Sequence, residues 1–581
     1  MLGELHIKNF AVIKDLSISF AAGLNVISGD EGTGKSLIVD ALSLIMGARA
    51  PGGQIRSGAG SARIEAILWP GELTVEKVNK VLEDSGIEPE ANGMLLISRD
   101  FQEGGKSVAR LNNRAVPLSM LKQIGKHLMD IHGQMEYLSL MDSGNQLALV
   151  DRFGGLTEMC HKLRKQVEEL KQIEKEIAAM DTADREGLID LLRYQVEEIE
   201  RSKIESMNEE ELLAERDMLR RAEAITNGCL EAYSNLYGDE RSVSVLLHKT
   251  LTTLRNLSTA DRQLVEYHDR IENLRLIVEE SARDLLAHAE SIENSAGRLE
   301  ELERQADLIA TLKRKYGSSI EAIIAFRDKA KAELETMLGL QDRKAELAAR
   351  RQEVKTGAAR IADDLSLTRQ GAAEKLVKLV NEELSEIGLE WAKFDVALSR
   401  REDVNGLTLS GGKSYAFTSE GVDRVEFQVA TNPGEPMRSM AAIASGGETS
   451  RIVLAVKSAL KQADPIPSLV FDEIDMGVGG RSADSVGRKL AALAGYHQVL
   501  CITHLPQIAC FGDVHFKLAK EIESGRAATR VERIEGNNRV RELAAMLGSE
   551  RNGSAMLKGA ESLVKNAEKW KEGVRELVMA G

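Results

Sequence analysis

Gly29-Asp30-Glu31-Gly32-Thr33-Gly34-Lys35-Ser36 is the stretch on which the reading of this chain turns. It fits the pattern G-x-x-x-x-G-K-[ST] of a phosphate-binding P-loop. There, backbone N–H groups cradle phosphates, the lysine reaches the outer phosphates and the hydroxyl ligates a divalent cation. The flanks agree. Leu24-Asn25-Val26-Ile27-Ser28 reads as a buried strand, and Leu37 to Met46 as an apolar helix opening at Ser36. Strand, glycine loop and helix N-terminus make an anion site, because free N–H groups and the helix dipole converge on one spot. A P-loop by itself lacks a carboxylate for the metal and a base for water, so the rest of the chain has to provide both.

On either side of this stretch, residues 1 to about 150 read as an α/β lobe. Leu5 to Phe10 and Ile13 to Phe20 alternate as half-buried strands, and strands recur at Ala62 to Leu68, Met94 to Arg99 and Ser107 to Leu111. Leu128-Met129-Asp130-Ile131-His132-Gly133-Gln134 is an apolar strand running into a polar loop. Gln134 ends that strand, where it could reach a metal or a water, or be an ordinary loop residue.

From Thr157 to about residue 385 there is no proline, and charged residues are dense. Leu163, Leu170 and Ile177 recur at seven, as do Leu340, Leu347, Val354 and Ile361, while Leu299, Leu302, Ala306, Ile309, Leu312 and Tyr316 step by three and four. This is coiled-coil periodicity in two blocks. A less regular helical middle separates them, which favours an antiparallel hairpin over two bundle helices. A block of about 50 residues would span about 75 Å.

Strands return at Phe394 to Leu398 and Val425 to Val429. Ser445-Gly446-Gly447-Glu448 then opens a helix, which makes a second anion-binding N-terminus. Ser410-Gly411-Gly412-Lys413 looks similar but leads into a strand and reads as a hairpin turn. Ser468-Leu469-Val470-Phe471 is an apolar strand that ends in Asp472-Glu473, and Val499 to Thr503 is another that ends at His504. Asp472 is placed to ligate the metal with Ser36, and Glu473 to polarise a water. The plain alternatives are a solvated strand end for the acidic pair and a hydrogen-bonded loop residue for His504. Asp472 and Ser36 are separated by the whole helical region, so sharing one metal requires the chain to fold back.

Together, the P-loop, the glutamine, the S-G-G-E signature, the Asp-Glu strand end, Asp475 and His504 resemble the motif set of ABC-type ATPases. Splitting the set around a coiled coil resembles the SMC class. Several stretches resemble the bacterial RecN family specifically: Asp130 to Gln134, Arg193 to Ile199, Leu312 to Gly317, Asn432 to Pro436, Ala444 to Glu448 and Thr503 to Ala509. Asp30-Glu31, Thr449 and Met476 depart from the family pattern, and the first pair adds negative charge near the phosphates.

The resemblance implies an α/β ABC-type P-loop head built from both ends of the chain, with an antiparallel coiled-coil arm between them. The expected divisions are 1–155, 156–205 (first arm), 206–295 (helical apex), 296–388 (second arm) and 389–581. It implies ATP and Mg2+ as ligands. The P-loop residues Gly29 to Ser36 would bind nucleotide together with Ser445, Gly446, Gly447, Glu448 and Asp475. Ser36, Asp472 and Gln134 would serve the metal, with Lys35, Glu473, His504 and Gln134 as catalytic groups. ATP would join two heads of a homodimer, each signature serving the other chain's P-loop, in the repair of DNA double-strand breaks. DNA and the RecA recombinase would be partners, in the cytoplasm and at the nucleoid. The alternatives are an ABC-type ATPase subunit or a nucleotide-locked tether that does not act on DNA.

Composition narrows the field further. The chain has 581 residues, 43% hydrophobic and 29% charged, with only 4% aromatics, which suits long helices. Its net charge of −15 excludes a chain-wide basic footprint, so any DNA contact should be local and salt-sensitive. The basic groups nearest that role are Lys313-Arg314-Lys315 and Arg49, Arg56 and Arg63, although charges on a coil usually form a solvated face. The four scattered cysteines read as reduced core thiols. No leader peptide and no membrane span are expected.

Overall fold

In a computed structural model of the protein, residues 1–50, 54–133, 139–180, 185–292, 296–442, 446–523, 526–548 and 553–580 are described. The chain divides into two compact units, Met1–Gln172 with Gln352–Gly581, and Ile173–Arg351.

The first unit is built on a six-stranded sheet. Its order is Arg526–Ile534, Val514–Glu523, Leu24–Gly29, Gln498–Ile502, Ser468–Phe471 and Met129–His132. All neighbours are parallel except the outer hairpin of the first two strands. The P-loop strand therefore lies between two strands from the far end of the chain, with Leu24 opposite Val499 and Gly29 opposite Leu518. These strands are short and apolar on both faces, as a parallel sheet covered on both sides requires. One face packs on the P-loop helix Lys35–Ile45 and on a second, antiparallel six-stranded sheet that includes Leu2–Phe10 and Ser61–Leu68. Ile27, Val470, Leu500 and Phe516 meet Ile38, Leu42, Ile7 and Ile64 there. On the other face Val26, Leu469, Phe471 and Cys501 meet Val453, Val456, Leu490 and Phe511, from the helices Gly447–Ala459, Arg481–Leu493 and the turn after Pro506–Ala509. Residues 410–413 lie between Glu402–Thr408 and Ser414–Tyr415, which pair as an antiparallel hairpin.

The root of the arm belongs to this unit. Leu163 and Val167 of the helix Thr157–Met180 pack on Ala358, Ala362 and Leu365 of the 67-residue helix Ile320–Glu386. Arg369 meets Cys160, while Gly357 faces Gln166, so the pair is antiparallel. Arg369, fully buried, donates Nε to Asp151 (2.7 Å) and Nη1 to Asp423 (3.1 Å), which joins this helix to the helix Ser143–Phe153 and the strand Asp423–Ala430.

The second unit is helical throughout its described residues. Leu192 and Val196 of Arg185–Ser202 pack on Ala330. Leu302, Ile309 and Leu312 of Ala296–Tyr316 join Ile199, Leu212 and Ile323 in another core. The seven-residue pattern is thus spent on burying one helix stripe against another. Lys313 and Lys315 are paired with Glu209 (2.6 Å) and Glu198 (2.5 Å). Of the basic run 313–315, only Arg314 has no ion pair recorded among the described residues, so the run is mostly a salt-bridged arm surface.

Candidate nucleotide site

Gly29 to Ser36 bends from the strand into the helix over one turn. Gly34 caps the helix with φ +97°, a backbone state that a side chain disfavours. The loop is held from within by Thr33 Oγ1, which donates to the Asp30 carbonyl (2.8 Å). It is held from outside by Thr529 Oγ1, which donates to the Thr33 carbonyl (2.8 Å). Lys35 Nζ donates to the Gly29 and Asp30 carbonyls, so the ammonium lies over the loop that would receive phosphate.

A cleft of about 880 Å³ opens over the loop. Gly29, Asp30, Glu31, Gly32, Gly34, Lys35 and Ser36 line one side, and Asp472, Glu473, Asp475 and His504 the other. Residues from both ends of the chain thus share one cavity, because their strands are neighbours in one sheet. Gln134 and Ser445 lie outside the described residues. Gly446, Gly447 and Glu448 are on the helix Gly447–Ala459 or its cap and are not among the cleft's lining residues.

Asp472 is 7% exposed, and burial pushes its carboxyl up to about 6, reinforced by the nearby charges of Glu473, Asp475 and Asp40. A carboxylate crowded by others and short of counter-charge suits a cation. With the Ser36 hydroxyl it gives the sparse oxygen donors that Mg2+ takes when phosphates and water complete its shell. Among the described residues no cluster of three or more His, Cys, Asp or Glu could hold an ion. Glu473 follows with φ +56°, left-handed backbone costing a non-glycine residue about 1–2 kcal/mol. Such strain at a cleft wall marks a position set by something other than local stability. Its N–H donates to Asp472 Oδ1 (3.0 Å).

Asp475 is almost buried, and its Oδ2 gathers three groups. Thr503 Oγ1 donates at 2.6 Å, the His504 N–H at 2.8 Å, and the His504 ring Nδ1 lies 2.9 Å away. The His504 ring is otherwise 65% exposed into the cleft. The aspartate therefore fixes the ring of the histidine one strand over.

The S-G-G-E helix is anchored to the same acidic turn. Ser450 Oγ donates to the Asp472 carbonyl (3.3 Å) and Arg451 Nη1 to the Met476 carbonyl (2.7 Å). A Cβ on Gly447 would lie 2.7 Å from Met476 Cβ and 3.0 Å from the Glu473 carbonyl oxygen, whereas one on Gly446 would meet nothing within 4 Å among the described residues. The packing of the described residues thus explains one glycine and not the other.

Sequence reasoning missed Lys517, Glu542 and Met546, which also line the cleft. Lys517 pairs with Glu542 (2.5 Å), whose other oxygen accepts from Ser28 just before the P-loop (3.1 Å). They come from the outer hairpin and the helix Gly536–Leu547, and only strand order brings them to the P-loop.

A P-loop faced across one cleft by an acidic strand end, on a sheet closed by both chain ends around a helical arm, defines an SMC-like, ABC-type nucleotide-hydrolysing head. The profile described as "RecF/RecN/SMC N terminal domain" matches residues 1–524. The DNA repair protein RecN of Halalkalibacterium halodurans is 34% identical over 94% of this chain and 95% of its own length. That of Bacillus subtilis is 33% identical over 98% and 100%. Among solved structures, the Smc head domain with a coiled coil and joint from Pyrococcus yayanosii matches with a TM-score of 0.53 at 18% identity, covering 94% of this chain and 99% of that one. This chain belongs to the RecF/RecN/SMC family, and its full-length relatives place it in the RecN branch.

Proposed function

We propose that the protein is an ATP-driven DNA repair factor whose heads are joined by ATP and released by its hydrolysis. The observation that carries this reading is the shared cleft, in which Lys35 and Ser36 face Asp472 and Glu473. Lys35 leaves the Gly29 and Asp30 carbonyls for the incoming phosphates. Ser36 and Asp472 are the residues that would hold Mg2+, which when bound screens phosphate charge. Glu473 accepts a proton from the attacking water, and His504, oriented by Asp475, donates to the γ-phosphate. Gln134, two residues past the strand Met129–His132, orders the water or the metal shell. The helix N-terminus at Ser445-Gly446-Gly447-Glu448 serves a nucleotide held by a second copy, since no described residue covers Gly446 and the chain's own P-loop needs no second anion turn.

The full-length match to relatives named as DNA repair proteins supports DNA as the substrate on which the joined heads act, most plainly by holding ends or duplexes together. Stimulation of hydrolysis by DNA, action on double-strand breaks and contact with a recombinase of the RecA type belong to the same reading. Among the described residues no helix is long and apolar enough to cross a membrane.

Glu473→Gln tests the centre of this reading. The variant should bind ATP, lose at least about 100-fold in turnover and elute as an ATP-dependent dimer in gel filtration. Turnover at the wild-type rate would remove Glu473 as the base, and an ATP-independent monomer would remove the joining step.

A further inference from the structure

The geometry points to Lys457 as a positioning residue for ATP hydrolysis, an internal tie that fixes the S-G-G-E helix to the strand and turn on either side of Gln134. This rests on the hydrolytic role proposed above for the cleft.

Lys457 lies in the last turn of the helix Gly447–Ala459 and is fully buried. Its ammonium meets Asp130 Oδ2 at 2.5 Å, Asp464 Oδ2 at 2.5 Å and Ser139 Oγ at 3.4 Å. Asp130 also takes both polar groups of Ser139. Oδ1 accepts its N–H (2.8 Å) and Oδ2 its hydroxyl (2.6 Å). Asp130 stands four residues before Gln134 and Ser139 five after, so one carboxylate closes the chain on both sides of that glutamine. Asp464 accepts from the Ile466 N–H (3.1 Å), just ahead of the strand Ser468–Phe471 that delivers Asp472 and Glu473.

The placement is costly by the measures that govern cores. One ammonium and two carboxylates sit out of water, an arrangement that well-packed apolar side chains often replace without loss of stability. Stability alone therefore does not call for it. What the tie does supply is a connection. At its first turn the same helix is fixed to the acidic turn through Ser450, Arg451 and the close approach at Gly447. At its last turn Lys457 fixes it to the strand Met129–His132 through Asp130. A ligand docking at the helix N-terminus would thus bear both on the acidic turn and on the chain around Asp130 and Ser139. Loss of the tie should misplace reacting groups while leaving the P-loop, which binds nucleotide, intact.

Two variants test this in the full-length protein. The triple Lys457→Met, Asp130→Asn, Asp464→Asn removes all three charges and leaves no unpaired buried ion, and Ser139→Ala removes only the clamp bonds of one hydroxyl. Expected for the triple are a wild-type circular dichroism spectrum, a KM for ATP within about threefold and a kcat about tenfold or more lower, as when groups that hold reacting residues are lost. Ser139→Ala should lower kcat about threefold with KM unchanged. Wild-type kcat in Ser139→Ala, or in a folded triple variant, overturns the inference. So does a fall in which KM rises in step with kcat loss, because that is the mark of a disordered P-loop. Glu473→Gln run alongside separates the two readings. If it is inactive while these variants are normal, only the tie fails, and if it turns over normally the hydrolytic reading fails first.

Discussion

Asp472 and two buried histidines pull the pH dependence of folding in opposite directions. Burial pushes the His132 and His515 imidazoles down to about 3, and Arg539 and Lys517 add to the effect on His515. The unfolded chain takes up those protons near 6.5 while the folded chain refuses them, so each histidine removes stability as pH falls below 6.5, by about 1.4 kcal/mol per unit. Asp472 has the opposite sign. Folded, it keeps its proton up to about 6, whereas the unfolded group loses it near 3.8, so its contribution falls as pH rises between those values. Two histidines outweigh one aspartate, and from pH 7.5 to 5 the unfolding temperature of the head should drop. The transition that ATP shifts identifies the head in a melt. His515→Gln should flatten this dependence and Asp472→Asn should steepen it, and a slope unchanged by either would mean these groups do not govern it. The same residues mark what was legible in the sequence. Asp472 was readable because an apolar run ends on it, and Lys35 and Ser36 because their spacing is fixed by phosphate geometry. Lys517, Glu542 and Lys457 were not, since each works through a partner that only strand order or helix packing supplies, and no local pattern announces it.

Elements were more legible than contacts. Heptads announced the arm because burying a stripe forces a period, and the short parallel strands were found because they are apolar on both faces and end in chemistry. Hidden was the way the S-G-G-E helix meets the acidic turn. That contact sets a test within one turn of helix. Gly447→Ala must displace Met476 or the Glu473 carbonyl, both under or near 3.0 Å from the new Cβ, and so should disturb its own cleft. Gly446→Ala meets nothing within 4 Å among the described residues. We expect Gly446→Ala to melt as wild type and bind ATP normally, yet to lose ATP-dependent dimerisation and about tenfold or more in turnover. Gly447→Ala should lower its unfolding temperature as well, overpacking at a rigid contact costing about 1–3 kcal/mol. If Gly446→Ala still dimerises with ATP, the glycine is not needed for a second molecule's nucleotide.

For the molecule as a whole, a site divided between two chains would make catalysis a matter of concentration. A site completed within one chain turns over at a rate per chain that dilution leaves alone. If the phosphate cradle of one head must meet Gly446 and its neighbours from another, the rate per chain should fall about in proportion to concentration once the protein is diluted below its dimer dissociation constant. The net charge of −15 sharpens the expectation, because two such chains repel and screening by salt should favour their meeting. DNA acts in the opposite sense. Neutralising phosphates with a local set of basic side chains releases counterions, so binding weakens steeply between about 50 and 200 mM salt. Without DNA, moderate salt should therefore leave the ATPase rate unchanged or raise it. With DNA, stimulation should be greatest at low salt and vanish as salt rises, and it should also rescue activity at dilutions where free chains are inactive, by gathering two chains on one duplex. Steady-state ATPase measured across a hundredfold range of protein concentration, with and without duplex DNA at two salt levels, checks all of this at once. A rate per chain flat with dilution would contradict the shared site, whereas a concentration-dependent rate indifferent to DNA at low salt would keep the joined heads and remove DNA as what they respond to.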